Sequence, residues 1–466
     1  MKTTSAAAAN DLRRDFDGLV ILPGDAEYDL ARRVWNVDVV REPAMVARPA
    51  TAMGVQQAVR FARRHDLPIA VRGGGHGLAG YGTADDALVV DLRGLSSVHV
   101  DATERIATVG AGLTWGVLDG ATQEHGLAVT GADAPMVGVG GVTVGGGLGW
   151  LHRLAGLTCD NLHSCDVVTA DGELLEASPR RHPDLYWALR GGGGNFGVVT
   201  RFQFRLRPVR ELMAGTLVYP LDRAPEVLGF YQEQCEDAPV ETALRLTLMK
   251  APPAPFIPSE LHGEPVLLLG AVAYGPPATA ASLLRAIRDF GSPAADTIRP
   301  VSYLELQQPP GRFPERQRAY GYSAFLGRLD DTLIDAFVDA ATELPSPLAM
   351  IQVQQLGGAI TSVADDDTAF PHRRATHHLA VNALAAQDDV ASELTAWTKA
   401  TASAVQPHVR GGPYVSFVTG EESRSEIRQA YGPAVHDRLV EIKSAYDPEN
   451  VFRFNANVPP ALPKSP

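Results

Sequence analysis

The residues of this chain best placed to do chemistry are glycines. Three clusters of them, at 73–77, 138–149 and 191–197, lie in the first half. Glycine lets successive backbone N–H groups turn toward an anion and lets the chain approach a flat ligand closely. One such cluster would read as a tight turn. Three of them between Gly73 and Gly197 point to a ligand, and a dinucleotide fits that demand best. The first cluster, Arg72-Gly73-Gly74-Gly75-His76-Gly77, follows the apolar run Pro68-Ile69-Ala70-Val71. No amphipathic helix begins after it, as a Rossmann fingerprint requires. Gly138-Val139-Gly140-Gly141 lacks a strand in front, and no Gly-Lys-Ser/Thr is present for a Walker A loop. His99, His125, His372, His377 and His378 read as hydrogen-bonded structural histidines. The last three have no carboxylate at a regular ligand spacing, so no metal site is expected. Cys159, Cys165 and Cys235 are an odd number and too few for a disulfide framework.

The elements that would carry these residues follow from period and punctuation. Thr51 is a candidate cap for a helix whose Val55, Ala58, Val59 and Ala62 share one face. Strands are expected at 68–71, 87–92 and 105–109, and a helix begun by a Thr114 cap at 114–125. Asp171-Gly172 predicts a type I′ hairpin joining 166–170 to 173–177. A helix around 184–190 stops at Gly191, and 198–206 alternates with Phe202, Phe204 and Leu206 on one face. Beyond residue 211 prolines cluster, at Pro252, Pro253, Pro255 and Pro258 and then at Pro309, Pro310 and Pro314, while glycine thins out. Strands are expected there near 216–219, 244–249, 266–272, 320–325 and 349–354. Helices are expected at 280–290, with Thr279 a possible cap, at 330–344 and at 423–445.

Composition narrows the partners. Lys and Arg total 41 against 54 Asp and Glu, a net charge of −13 that repels a phosphate backbone, so nucleic acid is not expected. With 45% hydrophobic and 20% charged residues the chain is of globular type. No stretch approaches the ~18 apolar residues a membrane span needs. Arg13-Arg14 is not followed by the apolar region of a twin-arginine signal, which makes a cytoplasmic location the expectation.

Five segments in order carry a resemblance. They are Arg72-Gly73-Gly74-Gly75-His76, the glycine-rich 138–149, Gly156-Leu157-Thr158-Cys159-Asp160-Asn161, the run 187–200 around Gly191-Gly192-Gly193-Gly194-Asn195-Phe196-Gly197, and Tyr446-Asp447-Pro448-Glu449-Asn450 with Asn455 and Asn457. Together they resemble the berberine bridge enzyme-like group of FAD-linked oxidases, in the vanillyl-alcohol oxidase superfamily, of the bacterial type that includes 6-hydroxy-D-nicotine oxidase. The resemblance runs from about residue 45 to 460. It implies an α+β fold: a PCMH-type FAD-binding domain of two α/β subdomains, and a substrate domain whose antiparallel sheet is covered by helices. The implied division is an N-terminal extension and first helix at 1–40, the FAD domain at 41–210, the substrate domain at 211–406, and a segment at 407–466 that returns to the FAD domain.

The resemblance also implies roles. His76 takes the place of the histidine bonded to the flavin 8α-methyl. The position of a second, cysteinyl attachment is Ala134, so FAD should be attached once; Cys159 lies in a different segment, and Cys165 and Cys235 read as small core residues. Val137, three residues on, matches the small side chain of oxygen-using members. Tyr414 matches a tyrosine that serves as base, with Ser416 where an asparagine is usual; a positive neighbour or the flavin's field would have to lower its pKa. Gln352 matches a glutamate or glutamine and would orient substrate, with Gln354 on the same strand face. Leu148 replaces a tyrosine, and residues 370–374 read as an inter-domain loop. Cofactor contacts are expected from Arg72, Gly73, Gly74, Gly75, His76, Gly77, Gly80, Val137, Gly138, Gly141, Gly145, Gly146, Asp160, Asn161, Val199, Asn455 and Asn457. The implied activity is removal of a hydride from an alcohol or amine carbon of a small metabolite, with O2 as acceptor. A dehydrogenase with another acceptor, or a flavoprotein without oxidation, are the alternatives. Substrate and oligomeric state are not legible.

Overall fold

The computed structural model describes residues 6–308, 315–386 and 391–462; Pro309, Pro310 and Pro314 lie outside the described residues. The helix Ala52–Arg64 starts where Thr51 Oγ1 accepts from the Met53 N–H at 3.2 Å. Its Val55, Ala58, Val59 and Ala62 are fully buried, each larger side chain contributing roughly 1.5–3 kcal/mol. They pack on a four-stranded sheet in the order Gly18–Ile21, Met45–Pro49, Leu88–Asp91, Ile69–Arg72, whose last three strands run parallel. A five-stranded antiparallel sheet follows, ordered Val98–Asp101, Ile106–Gly110, Val198–Arg205, Leu162–Val168, Leu174–Ala177. Phe202 and Phe204, on one face as the alternation predicts, are fully buried in the core these two sheets share.

The second half is a nine-stranded, antiparallel sheet. Its central strand Thr242–Lys250 alternates strictly: Leu244, Leu246 and Leu248 enter a core with the helices Ala224–Glu236, Asp331–Thr342 and Ala391–Val405. Arg245, Thr247 and Met249 point the other way, into a cavity facing the first half. The architecture is α+β, as expected.

Several local expectations change. The Asp171-Gly172 turn is not type I′, because only Gly172 has positive φ (+83°) and the Gly172 N–H bonds back to the Thr169 carbonyl at 3.0 Å. Asp171 instead bonds Thr169 Oγ1 and the Glu173 N–H. Thr114 precedes the helix Trp115–Gln123 without a side-chain cap bond. The 280–290 segment starts earlier and breaks into Pro277–Leu283 and Arg285–Asp289, so Thr279 lies inside the first turn rather than at a cap. The 423–445 helix is two, Arg424–Tyr431 and Pro433–Tyr446, since Gly432 at φ +73° ends one and Pro433 can only begin the next. The strand His377–Ala385, an apolar run without a clear period, and the helices Ala224–Glu236 and Ala391–Val405 are additions to the expected elements, although Ala224, Val227, Leu228 and Tyr231, like Leu394, Trp397, Thr398 and Thr401, fall at i, i+3, i+4, i+7.

The C-terminal segment is clasped to the first half. Lys443, with no side-chain exposure, donates to the Asn195 carbonyl (2.7 Å), the Phe452 carbonyl (2.9 Å) and Asp447 Oδ2 (2.6 Å). Arg373 makes a two-pronged pair with Asp160 at 3.0 and 2.7 Å, and His372 Nε2 meets the Ala430 carbonyl at 2.9 Å. Residues 370–374 therefore do join the two halves. Among the described residues no helix is long and apolar enough to cross a membrane.

Candidate functional site

The loop after Ile69–Arg72 is held from beneath. Arg72 is buried and donates to Asp91 Oδ2 at 2.9 Å and to the Arg33 carbonyl at 3.1 Å, while Gly75 turns at φ +75°. Asp91 also takes Arg48 (2.9 Å) and Arg93 (2.8 Å), and despite burial the Arg93 and Arg72 guanidiniums hold its carboxyl well below the usual range. Three cations around one anion leave positive charge beneath a loop of open N–H groups, which suits a pyrophosphate.

The glycine clusters meet. A Cβ on Gly74 would collide with the Gly138 backbone, and one on Gly138 with Gly74, so the first and second loops touch main chain to main chain. Gly77 and Gly141 have no atom within 4 Å of a built Cβ; they face the cavity. The third cluster is pinned to the second by the Gly191 and Gly193 N–H groups, both donating to the Val144 carbonyl at 3.1 and 2.9 Å. All three border one cavity of about 1730 Å³ that runs on to the large sheet. A single small-ligand site is typically ~300–1,000 Å³, so this volume has room for a dinucleotide and a second molecule. The residues present fit FAD: a cradle that side chains would fill, cationic support, and the unpartnered Asn455 Oδ1 at the wall.

Of the expected cofactor residues, Arg72, Gly73, Gly74, Gly75, His76, Gly77, Val137, Gly138, Gly141, Gly145, Val199 and Asn455 line this cavity. Gly80, Gly146, Asp160, Asn161 and Asn457 do not. Asp160 is spent on Arg373 and on the Leu157 N–H (2.9 Å), and Asn161 on the Ala155 and Leu157 carbonyls (2.9 and 2.8 Å). They shape the loop rather than touch a ligand. Gly80 and Gly146 serve turns at φ +65° and +117° against Val39 and Phe370. Asn457 Oδ1 is buried without a partner but stands behind the wall.

His76 stacks on Trp35 with ring centroids 5.7 Å apart, and no protein group among the described residues hydrogen-bonds its ring. Burial pulls it down to about 4, so the imidazole is neutral and keeps a free lone pair. Ala134, Val137 and Leu148 are also on the cavity wall, whereas Cys159 is fully buried beside Asp160 with its thiol pushed up by desolvation.

At the sheet end, Tyr414, Gln352 and Gln354 come together as expected. The Tyr414 oxygen accepts from the Gly147 N–H at 2.7 Å. Burial pushes this phenol up to about 12, against the Ser416 hydroxyl and that N–H, and no cation pulls it down. Of the two expected sources of a lowered value, a positive neighbour is absent among the described residues, and the hydrogen bonds only partly offset burial; the flavin's field is the source that is left. His378, read from sequence as a structural histidine, also lines the cavity. It is edge-on to Tyr414 at 5.6 Å and to Phe417 at 5.4 Å, and its Nε2 is buried without a partner. Its signal was positional only: it belongs to a strand the sequence did not disclose.

A family model described as an FAD binding domain matches residues 43–178, and one described as berberine and berberine like matches 419–459. The FAD-linked oxidoreductase YgaK of Bacillus subtilis is 30% identical over 461 residues, 95% of this chain and 97% of that one. The chain belongs to the berberine bridge enzyme-like FAD-linked oxidoreductases. The solved 6-hydroxy-D-nicotine oxidase of Arthrobacter nicotinovorans superimposes with a TM-score of 0.86 at 25% identity, covering 95% of this chain and 98% of that one. A glucooligosaccharide oxidase of Acremonium strictum, whose FAD is described as 6-S-cysteinyl, 8α-N1-histidyl, shares the fold at a TM-score of 0.84 and 23% identity, over 97% of this chain and 99% of that one. The FAD binding domain match of this berberine bridge enzyme-like oxidoreductase contains the first two glycine clusters at one end of the cavity; the large sheet borders the other end.

Proposed function

We propose that the protein is an oxidase that takes a hydride from an alcohol or amine carbon of a small, partly apolar metabolite and passes the electrons to O2, giving H2O2, with FAD bonded once, through His76. The observation that carries this reading is the His76 imidazole, neutral, free of protein partners and set in the wall between glycine loops. The histidyl link named for the glucooligosaccharide oxidase supports it. Bound FAD supplies the hydride acceptor and the oxygen chemistry.

The chain's own residues do the rest. Ala134 offers only a methyl where a cysteine would add a second bond, and Cys159 is walled off. Val137, small and partly exposed to the cavity, leaves oxygen a path. Tyr414, once it has lost its own proton to solvent, accepts the proton from the O–H or N–H on the reacting carbon as a phenolate; the Gly147 N–H stabilises that phenolate, whose fraction rises with pH because burial holds the phenol near 12. Gln352 has no proton-accepting carboxylate and orients the substrate by hydrogen bonds.

Acid denaturation followed by peptide mapping tests the attachment. The flavin mass belongs on the peptide containing His76 and on no other; flavin released to the supernatant refutes the linkage. Substrate-reduced enzyme that air fails to reoxidise refutes O2 as acceptor.

A further inference from the structure

Three arginines of the second half line the cavity: Arg299, exposed and paired with Glu305, Arg316, bonded to the Val34 carbonyl, and Arg245 on the floor. Arg245 projects from the central strand, and its cross-strand neighbours on the same face are Gln354 and then His378, through the registers Arg245↔Gln354 and Gln354↔His378. The guanidinium lies 4.2 Å above the Trp150 ring, and Gly270, opposite Arg245 on the next strand, makes room: a Cβ there would come within 3.3 Å of the indole. One nitrogen, Nη1, pairs with Asp133. Among the described residues Nε and Nη2 have no hydrogen-bond partner, and they are not buried. Arg245 is thus held flat by an indole, tethered at one corner, and open on its other edge. Two strands away, His378 is 4% exposed with its Nε2 buried and unpartnered, and this imidazole lines the same cavity. Burial, with help from the Arg245 charge, keeps it neutral, so the ring can donate one N–H.

Around this polar row the cavity is apolar, with Met249, Met350, Leu268 and Phe417. Acidic groups along it are already used or lie at the surface. Asp133 is paired with Arg245, Glu305 with Ser302 and Arg299, and Glu315 is exposed. A cationic amine would find no counter-charge there, whereas an anion would find a preorganised guanidinium edge.

Resting on the oxidoreductase reading above, the geometry points to an organic acid as substrate: an apolar body whose carboxylate sits on the open edge of Arg245, in the row that Gln354 and His378 complete. Asp133 competes for the same guanidinium, so an incoming carboxylate displaces or shares that pair.

Benzoate, benzamide and benzylamine titrated into the flavin-loaded protein test this, read by flavin absorbance and separately by tryptophan fluorescence, with Trp150→Phe as control. Benzoate should bind, weakened about tenfold or more by Arg245→Met and less by Arg245→Lys, while benzamide binding stays unmoved. Asp133→Asn, which removes the competitor, should tighten benzoate. Benzylamine binding more tightly than benzoate overturns the proposal, as does benzoate binding, or failing to bind, alike in wild type and Arg245→Met. Protein that purifies without flavin but whose Trp150 still reports benzoate would refute the redox reading and leave the anion seat standing.

Discussion

Asp119→Asn should make the protein more stable at alkaline pH and flatten its pH dependence. Asp119 sits on the helix Trp115–Gln123 with 1% exposure, facing Gln307 of the second half. Gln307 Nε2 donates to Asp119 Oδ2 at 3.1 Å and to the Ala132 carbonyl at 2.9 Å, while Asp119 Oδ1 and Gln307 Oε1 are both buried without partners. A proton on Oδ1 supplies the donor this pair of acceptors lacks. Burial accordingly raises the carboxyl to about 7, only partly offset by the Gln307 bond. Because the folded value lies above the unfolded one of ~3.9, the folded state holds a proton that the unfolded chain has lost, and stability falls as pH rises from ~4 to ~7. Asparagine keeps the shape, accepts from Gln307 Nε2, donates to Oε1 and does not titrate. At ~1.4 kcal/mol per unit over the two units from pH 5 to 7, the variant should gain about 3 kcal/mol on wild type between pH 5 and pH 8. Urea unfolding followed by near-UV circular dichroism at both values measures it. A difference that does not change with pH, or a loss at pH 8, refutes the reasoning.

Tyr414→Phe should slow flavin reduction by roughly 10²–10⁴-fold without releasing flavin. In wild type, with the phenol near 12, reduction should climb about tenfold per pH unit from pH 7 to 10; a plateau in stopped-flow rates below pH 9 would remove Tyr414 as the base. His76→Ala should leave FAD dissociable on denaturation, and flavin still bonded in that variant would place the attachment elsewhere. Ala134→Cys, on the cavity wall, should add a second flavin bond visible as a cross-linked peptide by mass spectrometry. Lys443→Met strands the buried Asp447 carboxylate, costing about 3–5 kcal/mol. It should also loosen flavin retention, since Lys443 holds the loop at Asn195; unchanged melting and retention would contradict that.

Much of this protein was written in short stretches of its sequence. The Thr51 cap with the buried face at Val55, Ala58, Val59 and Ala62, and the strands bearing Phe202 and Leu246, follow from torsional preference and period, which act over a few residues. The glycine clusters likewise announced a ligand before any contact was known, because only glycine permits loops to touch main chain to main chain as Gly74 and Gly138 do. Where a break depends on two adjacent residues, as at Gly432-Pro433, the signal is present and local, although helical sequence continues on either side of it.

Partnership over long separations was decided only by the tertiary structure. Asp160 reads as a ligand contact until Arg373, 213 residues away, is seen to occupy it, and Asn161 until its amide is found on nearby carbonyls. His378 looks structural in the chain and stands in the cavity in space, because the register with Gln354 and Arg245 sets which face it shows. The same holds for Tyr414, whose basicity depends on the Gly147 N–H 267 residues distant, and for Asp119, whose proton depends on Gln307. Local sequence determines which backbone conformations are cheap. Which polar group finds a partner, and which is buried without one, depends on packing between segments far apart in the chain, and that packing sets charge, pKa and reactivity here.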